Sequence, residues 1–275
     1  VLHVAAFAAA WAALAIIAER LQAALAPPHG WWNLAGRGLI AEAAPPLVAA
    51  LIVYGAIVEL TPWGLARLRV PGGRTAARGL AQGVVWGVGL AVAVLAVSLA
   101  GGARVMAQVG GEERYATVAL PVALGLAAGA LLEELLFRGF PLARLGAALG
   151  AAPASLLLAA GFVAAHLGNP ALSWLGLANI GLASLLLSAV FFSPAGLPGA
   201  VGLHFGWNAG LALVADAPVS GLRFGLPVLE YAPGAHGWLT GGPFGPEGGL
   251  AATAVMGLAL WWWGERVKRG TEVTT

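Results

Sequence analysis

The sequence predicts an all-α, polytopic integral membrane protein with about eight transmembrane helices, and three observations carry that prediction. The chain of 275 residues is 60% hydrophobic and only 9% charged, where water-soluble domains are about a quarter charged. Its mean hydropathy is +0.86, so too few polar side chains are present to cover a soluble globule. At ~20 residues per membrane helix, the length accommodates about eight spans with their loops. The composition also excludes a disordered chain, whose signature is low hydrophobicity with high net charge. With no Cys in the chain, disulfides, thiolate metal sites and cysteine nucleophiles are excluded as well.

Apolar runs broken by Gly, Pro and charged residues place the first four spans near residues 4–26, 39–60, 80–100 and 117–139. The other four fall near 153–167, 171–192, 197–215 and 250–267, the first and third of these being short. The run at 4–26 is too long for a signal-peptide core and lacks a basic leader, which makes it a span. Residues 216–249, rich in Gly and Pro, read as an extracytoplasmic loop of a single transmembrane domain that covers residues 1–275. Arg67, Arg69, Arg74, Arg78, Arg144, Arg266, Lys268 and Arg269 fall on one side, against Arg37, Arg104, Arg114 and Arg223 on the other. That excess places both termini in the cytoplasm of a multi-pass protein of the plasma membrane. Trp261, Trp262 and Trp263 before the basic tail fit an interfacial anchor.

Gly125-xxx-Gly129 and Gly206-xxx-Gly210 would let helices approach closely, but in a chain with 41 Gly such spacings arise by chance. No internal repeat supports an inverted-repeat transporter. A net charge of +2 without a long basic run argues against a nucleic-acid partner and leaves the lipid bilayer as the surroundings.

The informative residues are ionisable groups inside apolar runs. Glu133, Glu134 and Arg138 follow about sixteen residues of nearly pure Ala, Leu, Gly and Val, and each costs ~2.5–3.5 kcal/mol near a helix centre. Glu134 and Arg138, at i,i+4, share a face and can form an ion pair. Glu133 lies about 100° around the helix and lacks such a partner, so an unpaired carboxylate remains that can accept a proton. The competing reading sets all three at the interface, with side chains reaching the headgroups. Two histidines also fall within spans. His166 shares a face with Phe162, and His204 shares one with Asn208. Glu133 lies ~9 Å and His204 ~10 Å from the cytoplasmic end of its span, but His166 lies ~20 Å deep, which fits less well.

Taken in order, these residues resemble a known family. Glu133-Glu134-Leu135-Leu136-Phe137-Arg138 is similar to the EExxxR motif of the CAAX-protease and bacteriocin-processing (CPBP) intramembrane endopeptidases. Phe162 to His166 resembles that family's FxxxH motif, and His204 to Asn208 its HxxxN motif. The resemblance covers about 117–215 and implies catalytic helices there, within an eight-helix core. It also implies roles. Glu133 activates a water with help from His166, His204 and Asn208 stabilise the oxyanion, and Glu134 with Arg138 forms a supporting ion pair. No cofactor is implied. The implied substrate is a peptide or protein, prenylated in the eukaryotic members.

Two rival readings stand beside this one. Glu133, His166 and His204 could form a two-His, one-Glu zinc site, although no His-Glu-x-x-His helix is present. Intramembrane Glu, His and Arg also line ion pathways, which would make the chain a transporter or a non-catalytic membrane partner.

Overall fold

The computed structural model describes residues 2–25, 37–62 and 64–272, with side chains described for residues 2–23, 40–62 and 64–265. The helices are α1 (Leu2–Leu25), α2 (Arg37–Leu60), α3 (Gly73–Ala100), α4 (Glu112–Phe137), α5 (Phe140–Leu149), α6 (Ala151–Ala165), α7 (Trp174–Phe192), α8 (Gly196–Ala215), the single turn α9 (Gly237–Thr240) and α10 (Leu250–Glu272). Strands β1 (Arg104–Ala107) and β2 (Leu229–Ala232) form a small antiparallel ribbon, with Arg104 opposite Ala232. The protein is thus an all-α polytopic membrane protein, and each of the eight expected apolar runs is a helix. Among the described residues, five stretches are long and apolar enough to cross a membrane: Leu2–Ala23, Ile40–Leu60, Gly73–Ala100, Glu112–Leu149 and Trp174–Phe192. Of the cations counted for orientation, the side chains of Arg37, Arg266, Lys268 and Arg269 lie outside the described residues.

The most extensive helix contact joins α3 to α8, and glycine makes it possible. A Cβ on Gly79 would meet Ala195, one on Gly83 would meet Gly199 and Leu203, and one on Gly87 would meet Leu203 and Trp207. From the other side, Gly202 and Gly206 abut the backbones of Leu80 and Val84. The partners rise together along both helices, so α3 and α8 run parallel with their backbones in contact. Such proximity is open only to residues without side chains. Gly206 and Gly210 therefore belong to a genuine seam. Gly129 has open space around it, so the other spacing is the coincidence.

Three features depart from the sequence reading. An extra helix, α5, follows a sharp break at Gly139. Only Trp261 of the three consecutive tryptophans is exposed, whereas the rings of Trp262 and Trp263 pack on Trp86. Residues 216–249 fold back on the helices and bury Ala217, Val219, Leu226, Tyr231 and Phe244. This last segment starts at Asp216, which ends α8 in a left-handed conformation with φ 46. Burial pushes its carboxyl up to about 6, although the backbone N–H groups of Leu226 and Gly225 and the charge of Arg223 act the other way.

That elevation has a definite sign. The folded protein holds the Asp216 proton more tightly than the unfolded chain does, so this group favours folding below its ordinary carboxylate range and loses that contribution as pH rises through about 6. Asp216→Asn removes the ionisation and suits the left-handed backbone. The variant is expected to melt above the wild type at pH 7.5 and level with it at pH 4, a difference that thermal unfolding at the two pH values checks.

Candidate active site

The site is assembled where α4, α6 and α8 meet. Glu134 and Arg138 are fully buried and joined at 3.0 Å, which removes the reading that sets them at a membrane interface. The Arg138 guanidinium also donates to the Ser184 hydroxyl at 2.8 Å and stacks 4.4 Å over the Phe162 ring. The ion pair inferred from spacing thus extends across helices, because Glu134 Oε1 also accepts the Nδ1–H of His204 at 2.9 Å. One buried carboxylate holds both the arginine beside it and the histidine on α8.

His166 sits at the far end of a short helix. Helix α6 has only 15 residues and ends at Ala165, with His166 as its capping position. The ring caps the helix, since Nδ1 lies 2.7 Å from the Phe162 carbonyl four residues back. A carbonyl oxygen can only accept, so Nδ1 carries the proton and a neutral ring presents its Nε2 lone pair. The i,i+4 pattern of Phe162 and His166 is therefore a capping arrangement as well as a shared face.

Both Nε2 atoms point at the same group. Glu133 Oε2 is 3.8 Å from His166 Nε2 and 3.8 Å from His204 Nε2. It is buried and has no hydrogen-bond partner. When both rings are neutral, three acceptors face a common point. Such a set is stable only around a species that donates, namely a water, an extra proton on a ring, or a cation. Among the described residues, no three His, Asp or Glu side chains are grouped as a metal site.

Glu133, His166, His204 and Asn208 line one cavity of about 760 Å³. Its other walls are mostly apolar and come partly from α1 and α2, among them Phe7, Trp11 and Pro46, with Glu19, Glu42, Asn169 and Ser220 as polar exceptions. A smaller cavity of about 50 Å³ lies behind, lined by His166, His204, Asn208, Asn179, Ser220 and Glu247 among others. The structure thus brings together all four residues expected to be catalytic.

Other contributors escaped the sequence reading. Tyr54 of α2 donates its hydroxyl to the Leu135 carbonyl at 2.6 Å and accepts the Phe140 N–H, which stitches the break just after the two glutamates. A Cβ on Gly139 would collide with that hydroxyl. Glu247 accepts from the Trp207 indole at 2.6 Å and from the Ser220 N–H. Burial pushes its carboxyl up, while these donors pull it back. Asn179 ties α7 to the Glu247 and Gly249 carbonyls at 2.7 and 3.0 Å. A lone tyrosine in an apolar helix and a lone glutamate in a Gly/Pro-rich stretch give no signal of such reach.

Against known families, residues 115–210 match the model described as Rce1-like, type II CAAX prenyl endopeptidase Rce1-like. Over this stretch the chain is similar to the Rce1-like proteins. The Rce1-like match starts near the beginning of α4 and stops inside α8, so it takes in all three motifs and leaves out α1 to α3 and the segment after α8. No curated protein and no solved structure matches the chain. The Rce1-like description names an endopeptidase, which makes peptide hydrolysis the chemistry to test on this multi-pass membrane protein.

Proposed function

We propose that the chain is an intramembrane endopeptidase that hydrolyses a peptide bond of a membrane-associated, CAAX-type or related substrate with a glutamate-activated water. The observation that carries this reading is the convergence of both imidazole Nε2 atoms on Glu133 Oε2 in a large cavity with mostly apolar walls.

In this mechanism the substrate carbonyl lies beside His204 and Asn208, and a water sits between Glu133 and His166. Glu133 takes one proton from the water as its oxygen bonds to the carbonyl carbon. The developing oxyanion is held by the Asn208 amide and by His204 carrying its second proton. When the C–N bond breaks, the departing amine takes the proton back from Glu133. Glu134 pairs with Arg138 and fixes the His204 ring through Nδ1. The mostly apolar walls strengthen each of these interactions.

Purified protein in lipid vesicles, mixed with solubilised membrane proteins, tests the reading through mass spectrometry of the released peptides. Peptides that appear with the wild type and not with Glu133→Gln support it, and identical peptide sets overturn it. Asn208→Ala is expected to lower turnover by ~10²–10³ with little change in KM, because the lost contact belongs mainly to the transition state. The zinc alternative on Glu133, His166 and His204 predicts another pattern. His204→Ala would then strip a bound metal, chelation would end activity, and Asn208→Ala would be mild.

A further inference from the structure

The segment after α8 brings a short turn to the site. Val219 and Leu222 pair as an isolated antiparallel bridge, and Gly221 N–H donates to the Phe244 carbonyl at 2.9 Å. Ser220 and Gly221 form the tip, with φ of 50 and 85. Glycine adopts that conformation freely and serine only at a cost, since a left-handed residue with a Cβ is strained. Ser220 is nevertheless the tip residue, and it lines both the large cavity and the small one, alongside His166, His204 and Asn208.

Its grip is as particular as its place. The Ser220 N–H donates to Glu247 Oε2, and its hydroxyl lies 3.3 Å from the same oxygen. Glu247 is in turn fixed by the Trp207 indole, on the residue just before Asn208. The backbone bond therefore sets the tip, while the long 3.3 Å contact leaves the hydroxyl able to turn to another acceptor. A side chain stands where the backbone favours glycine, a pattern found where strain serves function.

We propose that Ser220 is a substrate-positioning residue of this site, its hydroxyl donating to the backbone of the bound peptide while Glu247 holds the turn in place. The proposal rests on the endopeptidase reading for its substrate, and it adds a residue from outside the Rce1-like match and the three motifs.

The test compares Ser220→Gly, Ser220→Ala and Glu247→Gln, with a quenched fluorescent peptide pool joined to an apolar anchor as the probe, in the full-length protein in lipid vesicles. Both Ser220 variants are expected to lose about tenfold in kcat/KM through a raised KM, as for a hydrogen bond made equally in the bound and transition states. Ser220→Gly relieves the left-handed strain, so its melting temperature is expected at or above that of the wild type. Lower catalytic efficiency without lower stability is a signature that a purely structural serine does not give. Glu247→Gln is expected to reproduce the KM effect, and the double variant with Ser220→Gly should be less than additive. If Glu247→Gln fails to fold, Ser220→Gly alone decides. Both Ser220 variants within twofold of the wild type, with Glu133→Gln inactive, overturn the proposal. If even the wild type fails to cleave, the endopeptidase reading falls instead. Binding of the same pool to Glu133→Gln, with and without Ser220→Gly, then reads the Ser220 contact by itself, and equal affinities overturn it.

Discussion

Glu133→Gln is expected to abolish turnover while leaving the fold intact, and Glu134→Gln is expected to do damage of the opposite kind. A positioned general base contributes ~10²–10⁴ in rate, and a glutamine amide is too weak a base to replace the Glu133 carboxylate. Glu133 makes no direct hydrogen bond through its buried oxygen, and its side chain is 33% exposed, so little structure depends on it. Glu134 is fully buried and holds both Arg138 and His204. A neutral amide there strands the buried guanidinium, at ~3–5 kcal/mol for breaking such a pair from one side. Melting temperature and turnover, measured on both variants in the same detergent, separate the two roles. Equal loss of stability in both would show that the division between the glutamates is wrong.

The second large effect is expected from the glycine seam. In Gly83→Ala the added methyl runs into the Gly199 and Leu203 backbones, which cannot rotate away as a flexible side chain would. The helices must separate along their length, at a cost of ~3 kcal/mol or more, or roughly 10 °C in melting temperature. Gly89 lies on the same helix with nothing near its missing Cβ, so Gly89→Ala serves as the control and should be neutral or slightly stabilising. Similar melting temperatures for the two variants would mean that α3 and α8 are not held by backbone contact.

What could be read from the sequence and what could not divide along the range of the forces involved. The Glu134–Arg138 pair was legible because i,i+4 spacing is a property of one helix, and the helices themselves were legible because apolar length is a local quantity. The cap that His166 makes on α6 was not, since it depends on where α6 stops, and the histidine's own ring bonds the carbonyl at that stop. The fold-back of residues 216–249 was hidden because Gly and Pro look alike in a solvated loop and in a segment tied into the core by Glu247 and Asn179. The seam on α3 was written as Gly79-xxx-Gly83-xxx-Gly87 and was lost among the other glycines. Tyr54 lies outside the motifs and acts through a hydroxyl that only the break at Gly139 makes useful.

The shortness of α6 also bears on the bilayer. Fifteen residues give a helix of ~22 Å, whereas the hydrocarbon layer is ~30 Å thick. An apolar helix ~8 Å too short imposes hydrophobic mismatch, which lipids relieve by thinning around it or by letting headgroups and water sink toward its end. That end is His166. Set across a bilayer, the length of this one helix would draw the aqueous phase down to the depth where a hydrolytic reaction needs it, and acyl-chain length would become a physical variable of that chemistry.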